Sequence, residues 1–432
     1  MTFFMGIRRE DKNKWERRVP IIPNHVKKLK NDFNIKTIVQ PSNRRIFSND
    51  EYESSDAFIK EDLSDCNVIF AVKEIPVDLL IPEKTYVFFS HTIKGQKYNM
   101  PMLKEMMSLR CNLIDYEKIC DEKGRRLVFF GRYAGLAGMI DTLWAFGQRM
   151  KNIVADNPFS KIKKTLDYKD LDDAKKEISK LGMEIKEKGI DDLLSPIIIG
   201  FAGYGNVSIG AQEILDLLPV KEIKAKDLQK ISKIDTKNFI YKVVFKEEDI
   251  VIRNSNEENF KLQEYYNKPE LYHSQFEQYL GKLSILMNCI YWDKRYPRLI
   301  TKEYIRKNYS EDSKLKVIGD ISVDINGAIE FTDKTTNSDN PAFIYDFENG
   351  KITEGFDKKG IVVMAVDNLP CELPKESSIE FSNSLIDFVP PIVKTDYSLI
   401  FDELKLPPEI KKALILHQGK LTPDYQYINK FL

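Results

Sequence analysis

Residues 197–212 read IIIGFAGYGNVSIGAQ, an apolar run followed by closely spaced glycines and then by a helical pattern. Gly203 and Gly205 stand between the predicted strand and the predicted helix. In that context a tight turn lets backbone amides, here those of Asn206 and Val207, approach a dinucleotide pyrophosphate. The third glycine of a GxGxxG pattern is replaced by serine. The stretch predicts a Rossmann-type strand, loop and helix, with a structural turn that binds no ligand as the alternative.

The charged residues that follow this stretch bear on whether the dinucleotide is NAD or NADP. The residue that binds a ribose 2′-hydroxyl is expected about 20 residues after the glycines. There the sequence has VKEIKAKD, with Lys224 and Lys226 where the second strand should end and Asp227 slightly later. Basic side chains favour the 2′-phosphate of NADP, so the two lysines predict NADPH as the cofactor, with NAD as a possible substitute. The alternative is that both lysines are merely solvated.

Short apolar runs alternate with helical patterns along most of the chain. Before the glycine stretch the runs are FFMGI, KTIVQ, NVIFAV, TYVFFS and NLIDY. Strands that alternate with helices predict a parallel sheet with crossover helices. We expect an α/β protein with two doubly wound domains and a cleft between them. The substrate domain comprises residues 1–135 plus 370–432 and the Rossmann domain residues 136–369, because a chain that leaves one domain for another often returns to it.

The composition excludes several classes of function. Lys plus Arg equals Asp plus Glu, at 66 each, so no charge surplus draws the protein to nucleic acid or to anionic membranes. The apolar runs fall far short of the roughly 20 residues that cross a bilayer, and the N-terminus has no signal or transit pattern. The five cysteines form no CxxC pair, which argues against a metal site. We expect a cytoplasmic protein that acts on a small molecule.

Ionisable side chains follow three of the predicted strands. NVIFAV is followed by Lys73 and Glu74, VFFS by His91 and Lys94, and NLIDY by Glu117. The carboxyl ends of parallel strands meet at one edge of the sheet, where ligands bind in open α/β folds. We therefore expect these side chains to surround one pocket. In addition, ERRVP and KGRRL each contain two arginines, one of which is a candidate for bidentate capture of a carboxylate.

Ten sequence blocks resemble one known family, in the same order. The blocks are RREDKNKWERRVPIIPNHV, QPSNRR, AVKEIP, FFSHTIKGQ, IDYEKICDEKGRR, FGRYAGLAGM, GYGNVSIGAQ, NCIYW, GDISVDINGAIEF and VDNLP. Together they resemble the lysine ketoglutarate reductase domain of animal and plant aminoadipic semialdehyde synthase. The resemblance extends more distantly to fungal lysine-forming saccharopine dehydrogenase and to alanine dehydrogenase.

The resemblance implies a reaction and a set of roles. That family condenses L-lysine with 2-oxoglutarate and reduces the imine with NADPH to saccharopine, the first step of lysine degradation. It implies that Lys73 and His91 are the acid and base pair, and that Glu74 and Glu117 adjust their charge. It also implies that the substrate carboxylates are held by arginines, and the cations available for them are Arg18, Arg126 and Lys94.

Other expectations and alternatives accompany the resemblance. We expect a separate saccharopine-oxidising enzyme to take the product, since no second domain of that kind is encoded here, and we expect no metal; the protein is a candidate homodimer. The amine donor, lysine or ornithine, stays open. One alternative is an NAD-dependent lysine-forming saccharopine dehydrogenase or another amino-acid dehydrogenase on the same scaffold. An alternative of another class is a catalytically inactive nucleotide-binding regulatory module.

Overall fold

The computed structural model describes residues 3–231, 237–255 and 259–432. The chain divides into two units, Met1–Phe130 together with Pro374–Leu432, and Gly131–Leu373. Each unit is built on one eight-stranded sheet with helices beside it. This confirms the predicted fold class, an α/β protein with two sheets in which parallel pairing dominates.

The first unit begins with alternating strands and helices. Its elements up to residue 115 are β1 (Phe3–Ile7), α1 (Pro23–Phe33), β2 (Ile35–Val39), α2 (Asn49–Glu53), β3 (Phe58–Ile59), β4 (Val68–Phe70), β5 (Thr85–Phe88), α3 (Met100–Ser108) and β6 (Asn112–Asp115). Every neighbouring pair among these six strands is parallel. The predicted α1 begins at a proline, whose missing amide is harmless in a first helical turn.

The second unit begins with α4 (Gly131–Met150), a helix that is buried along most of its length. The elements that follow are α5 (Leu171–Lys188), β7 (Ile198–Ala202), α6 (Asn206–Leu215), β8 (Val220–Glu222), β9 (Ile240–Phe245), α7 (Glu247–Ile250), β10 (Val251–Arg253), α8 (Leu262–Asn267), β11 (Tyr272–Ser274), α9 (Glu277–Leu280), β12 (Ile285–Asn288), α10 (Lys302–Asn308), β13 (Val317–Asp320), β14 (Ala342–Tyr345), β15 (Ile352–Thr353) and β16 (Ile361–Met364). Among the described residues, no helix combines the length and the apolar composition that crossing a membrane requires.

The sheet of the second unit has the strand order β15-β14-β16-β13-β12-β7-β9-β8. The strands from β16 to β8 are parallel, and β14 and β15 pair in antiparallel fashion at the other edge. β9 lies next to β7, although β8 follows α6 directly in the chain. The first strand after the glycine loop therefore lies at the edge of the sheet.

The chain then returns to the first unit. The returning elements are α11 (Pro374–Leu385), α12 (Val389–Lys394), α13 (Pro408–Ala413), β17 (Leu414–His417) and β18 (Lys420–Leu421). β17 pairs with β6 and β18 with β17, both antiparallel, so the order is β18-β17-β6-β5-β4-β1-β2-β3. In the centre of this sheet Ile7 is paired with Phe70, Phe70 with Val87, and Phe88 with Asp115. The carboxyl ends of β1, β4, β5 and β6 thus lie side by side.

The helices α4 and α6 approach each other closely at two glycines. A Cβ atom on Gly135 would overlap the carbonyl oxygen of Val207, and one on Gly210 would overlap the carbonyl oxygen of Arg132. The third glycine of a dinucleotide fingerprint serves close packing of the helix. Here Gly210 serves that packing, which explains why Ser208 is tolerated at the usual third position.

We expect Gly135→Ala to lower the free energy of unfolding by about 2–3 kcal/mol, because a backbone oxygen cannot move aside as a flexible side chain would. Urea denaturation followed by circular dichroism measures the loss. Gly281→Ala is the matched control, since no atom lies within 4 Å of its Cβ position. Equal losses in the two variants would contradict close packing of α4 on α6.

Candidate active site

The predicted polar residues of the first unit follow neighbouring parallel strands. Lys73 and Glu74 come after β4, His91 and Lys94 after β5, and Glu117 after β6. All five therefore stand at the carboxyl edge of the sheet, where side chains of different strands can meet.

Glu74 contacts two side chains at this edge, one of them cationic and the other titratable. Its Oε2 lies 3.5 Å from Nδ1 of His91, and its Oε1 accepts a hydrogen bond from the ammonium group of Lys12. Burial raises the pKa of Glu74, but the interactions with His91 and Lys12 outweigh burial and lower the pKa to about 2. The Glu74 carboxylate is therefore ionised at neutral pH, and it faces one nitrogen of the His91 ring.

The backbone of His91 adopts a conformation that is rare for its residue type. Its φ is 49°, in the left-handed region, and non-glycine residues held there cluster at functional sites. The imidazole ring stacks on Phe89 with 6.4 Å between ring centroids, and the side chain is 37% exposed. The hydroxyl of Tyr427 donates a 2.7 Å hydrogen bond to the carbonyl of Ile93 in the same loop. The loop thus presents His91 to solvent while its backbone is held in place.

The structure adds a carboxylate that the sequence analysis missed. The oxygens of Glu10 accept the backbone amides of Val72 at 2.6 Å and of Lys73 at 3.0 Å. Burial, together with the nearby charge of Glu16, raises the pKa of Glu10 to about 7 although both amide hydrogen bonds oppose this. Glu10 thus fixes the backbone that carries Lys73. The signal in the sequence was a charged run, RRED, directly after a predicted buried strand.

Asp115 is a second missed carboxylate, and it connects two strand ends. It accepts the backbone amides of Ser90 at 3.0 Å and of Glu117 at 2.8 Å, and also the hydroxyl of Ser90. The side chain is fully buried, and burial raises its pKa. These bonds hold the start of the loop with His91 against the turn that carries Glu117. The available signal was an aspartate at the end of the apolar run NLID.

Both arginines that the resemblance implies are paired with carboxylates. Nε and Nη2 of Arg18 donate to the two oxygens of Glu16 at 2.7 and 2.6 Å, and both side chains are almost fully buried. Arg126 pairs with Glu117, and its own side chain is 50% exposed. Arg18 is thus enclosed, and a bidentate ion pair already occupies two of its nitrogens. Lys94 is exposed.

The glycine loop of the second unit has the shape that a dinucleotide pyrophosphate requires. Gly203 has a φ of 95°, and a Cβ there would lie 3.1 Å from the carbonyl oxygen of Cys289. No atom lies within 4 Å of the Cβ position of Gly205, which caps α6. The amides of Asn206 and Val207, in the first turn of α6, have no partner within the helix and can bind an anion. These residues fit a dinucleotide.

The two lysines assigned to the cofactor follow the second strand of this unit, as expected from the sequence. Lys224 and Lys226 follow β8, and β9 separates β8 from β7. The strand before these lysines is therefore not a neighbour of the glycine-loop strand. Strand order is set by long-range pairing, which the spacing of residues along the chain does not report. The role of the two lysines in cofactor binding stays a prediction.

Two further polar residues end buried strands of the second unit. Asn288 ends β12 and Asp320 ends β13. Nδ2 of Asn288 donates a 2.7 Å hydrogen bond to one carboxylate oxygen of Asp320, and the hydroxyl of Thr332 donates a 2.7 Å hydrogen bond to the other. Burial raises the pKa of Asp320 to about 6. The signal for both residues in the sequence was a polar residue at the end of an apolar run, in the blocks NCIYW and GDISVDINGAIEF. In the part of the chain that the structure describes, no group of three or more His, Cys, Asp or Glu side chains could hold a metal ion.

The fold and the glycine loop define a class, that of α/β proteins with two units, one of which carries a Rossmann-type glycine turn. The family can be stated more narrowly. The family model for the alanine dehydrogenase/PNT N-terminal domain matches residues 6–137, and the model for the alanine dehydrogenase/PNT C-terminal domain matches residues 227–424. The chain belongs to the alanine dehydrogenase/PNT family.

Individual relatives agree with this placement. The alpha-aminoadipic semialdehyde synthase of Arabidopsis thaliana is 36% identical over 98% of this chain, and the match covers 41% of that relative, so the chain spans less than half of its length. The saccharopine dehydrogenase [NAD(+), L-lysine-forming] of Candida glabrata is 27% identical, with 86% of this chain and 87% of the relative covered. Among solved structures, an L-alanine dehydrogenase has a similar fold, with a TM-score of 0.61, 17% identity, and coverage of 99% of this chain and 100% of that one.

The raised pKa of Glu10 predicts a pH dependence of stability. Its pKa is about 7 in the folded chain against an ordinary 4.5, so between these values the folded state binds a proton that the unfolded state does not. The free energy of unfolding should therefore fall as the pH rises from 5 to 8, by roughly 2 kcal/mol from this group.

Urea denaturation at pH 5 and pH 8 measures this dependence. We expect Glu10→Gln to reduce the fall by roughly 2 kcal/mol, because the titrating group is gone. Glu61→Gln is the control, since Glu61 forms an exposed pair with Arg9; this variant should keep the pH dependence of the unsubstituted protein. An unaltered dependence in Glu10→Gln would show that Glu10 keeps an ordinary pKa.

Proposed function

We propose that this protein condenses L-lysine with 2-oxoglutarate and reduces the resulting imine to saccharopine with a nicotinamide dinucleotide. Homology to an alpha-aminoadipic semialdehyde synthase and to a lysine-forming saccharopine dehydrogenase supports the substrates. The observation that carries the proposal is the contact between Glu74 and His91 at the sheet edge where Lys73 also stands. The proposal includes a cytoplasmic location, a candidate homodimer and a separate enzyme that oxidises saccharopine.

Proton transfer is the first task of the site. The amine of lysine must be neutral to attack a ketone, although free lysine is mostly protonated at pH 7. The ionised Glu74 favours a proton on Nδ1 of His91, which leaves Nε2 to exchange a proton with the substrate. The carbinolamine then loses water, and an acid must protonate the departing hydroxyl. We assign the two transfers to His91 and Lys73 as one acid and base pair, with Glu74 and Glu117 setting the local charge.

Recognition of the keto acid is the second task. 2-Oxoglutarate carries two carboxylates, and the proposed cations are Arg126, Lys94 and Arg18. Arg126 is half exposed and is paired with Glu117, so a substrate carboxylate competes with Glu117 for the guanidinium. Arg18, enclosed by Glu16, acts in this proposal by holding its part of the sheet edge and by adding positive charge. Lys94 supplies an exposed ammonium on the loop of His91.

The dinucleotide supplies the hydride that reduces the imine carbon. In this proposal the glycine loop holds its pyrophosphate through Gly203, Gly205 and the amides of Asn206 and Val207. Two forms of the donor are proposed. NADPH is the form that Lys224 and Lys226 favour, and NADH is the form that agrees with the name of the Candida glabrata relative.

The loss of nicotinamide absorbance on mixing with L-lysine and 2-oxoglutarate tests the proposed reaction. We expect oxidation of the dinucleotide that requires both substrates, and saccharopine as the product by mass spectrometry. Omission of each substrate in turn, and replacement of lysine by ornithine, are the controls. Oxidation that needs only pyruvate and ammonia would instead identify an amino-acid dehydrogenase acting on alanine, and binding of the dinucleotide without any turnover would indicate a regulatory module.

We expect Lys73→Met to lower the turnover number by at least about 100-fold, which is the usual contribution of a general acid or base. Binding of the dinucleotide, measured by titration, should stay within about twofold of the original. Lys27→Met is the matched control, because Lys27 is exposed on the outer side of α1. Unchanged turnover in Lys73→Met would remove Lys73 from the mechanism.

A further inference from the structure

The strand order of the second unit decides which residues lie beside the glycine loop. β9 is paired with β7 over five residues, and the last pair is Ala202 with Phe245. The amide of Gly203 donates to the carbonyl of Phe245 at 3.0 Å. The carboxyl end of β9 therefore directly adjoins the loop. β8, in contrast, contacts β9 on its other side.

The position of the adenosine ribose follows from this geometry. In the doubly wound order 3-2-1-4-5-6, strand 2 lies beside the glycine-loop strand, and an acidic residue about 20 residues after the glycines binds the ribose 2′-hydroxyl. The physical requirement is adjacency to the loop, since the ribose is joined to the pyrophosphate. Here β9 occupies the place of strand 2 although it is the third strand of the unit along the chain. The residues at its end are Lys246 and Glu247.

Glu247 is held at this end by hydroxyl groups from two sides. The hydroxyl of Tyr204, which stands between the two glycines of the loop, lies 3.1 Å from Oε2 of Glu247. Tyr266 lies in α8, and its hydroxyl donates a 2.6 Å hydrogen bond to Oε1 of Glu247. A carboxylate has about four acceptor positions. Glu247 therefore keeps acceptor capacity for further donors while its orientation is fixed.

We propose that Glu247 binds the hydroxyl groups of the adenosine ribose, and that the protein consequently prefers NADH to NADPH. The inference rests on the proposed dinucleotide site and decides between its two donors. An ionised carboxylate accepts the hydrogen bonds that a ribose diol donates, whereas a 2′-phosphate offers no such donor and carries negative charge. Lys224 and Lys226 follow a strand that is not adjacent to the loop, so this proposal gives them no contact with the ribose.

The charges next to Glu247 are of both signs, so the ribose contact is assigned to Glu247 alone. Lys246 and Glu248 flank Glu247, and both are exposed. The backbone amide of Lys246 donates to Asp249 at 3.0 Å in the first turn of α7. A role for Lys246 in binding a 2′-phosphate is the competing assignment at the same place, and it predicts the opposite cofactor preference.

Direct titration with NADH and with NADPH, followed by nicotinamide fluorescence without lysine or 2-oxoglutarate, tests the proposal. We expect the protein to bind NADH at least about tenfold more tightly than NADPH, as the loss of one hydrogen bond to a charged group implies. Glu247→Gln should bring the two dissociation constants closer by about tenfold. Tyr266→Phe, which removes one of the two hydroxyls that orient Glu247, should change the ratio in the same direction by a smaller factor.

Matched variants separate the competing assignments. Glu248→Gln removes the same charge one residue away, and the double variant Lys224→Gln/Lys226→Gln removes the two lysines; neither should change the ratio of dissociation constants. The inference is overturned if the ratio of dissociation constants changes in the lysine double variant or in Lys246→Gln but does not change in Glu247→Gln. If neither dinucleotide binds to the unsubstituted protein, the proposed dinucleotide site itself is wrong, and the inference is overturned with it.

Discussion

Parallel pairing of β1, β4, β5 and β6 is the constraint on which the candidate active site depends. Because these four strands run in the same direction and are adjacent, every residue that follows one of them emerges at the same edge of the sheet. Residues 10, 73, 91 and 117 are far apart in sequence, yet the pairing confines them to this edge. The buried carboxylates then connect the chain segments after the strands through backbone amides, Glu10 those after β1 and β4 and Asp115 those after β5 and β6.

Charge at this edge is balanced in pairs. Glu16 neutralises Arg18, Glu117 neutralises Arg126, and Glu74 lies against both Lys12 and His91. The pairs differ in burial, and this difference matters for function. A buried bidentate pair such as Glu16 with Arg18 is costly to separate, so it is suited to structure. In the pair of Glu117 with Arg126 the guanidinium is half exposed although Glu117 is only 15% exposed, so a ligand carboxylate can reach Arg126.

The second unit has the local features of a dinucleotide-binding domain in an altered strand order. The glycine loop, the start of α6 and the close contact of α6 with α4 through Gly210 all follow the usual physical logic, in which small residues allow backbones to approach. The insertion of β9 between β7 and β8 changes only which side chains lie beside the loop. A property such as cofactor preference can therefore move to another part of the sequence while the loop itself stays unchanged.

The sequence by itself determined the α/β class, the two units, the glycine loop and the position of Lys73, Glu74, His91 and Glu117 at strand ends. These follow from local periodicity and from the rule that strands separated by helices run parallel. Only the tertiary structure decided that β9 lies beside β7, that Glu10 holds the backbone at Lys73, and that Arg18 is enclosed by Glu16. Each of these depends on pairing or burial between segments distant in the chain, and local patterns carry no information about which distant segments meet.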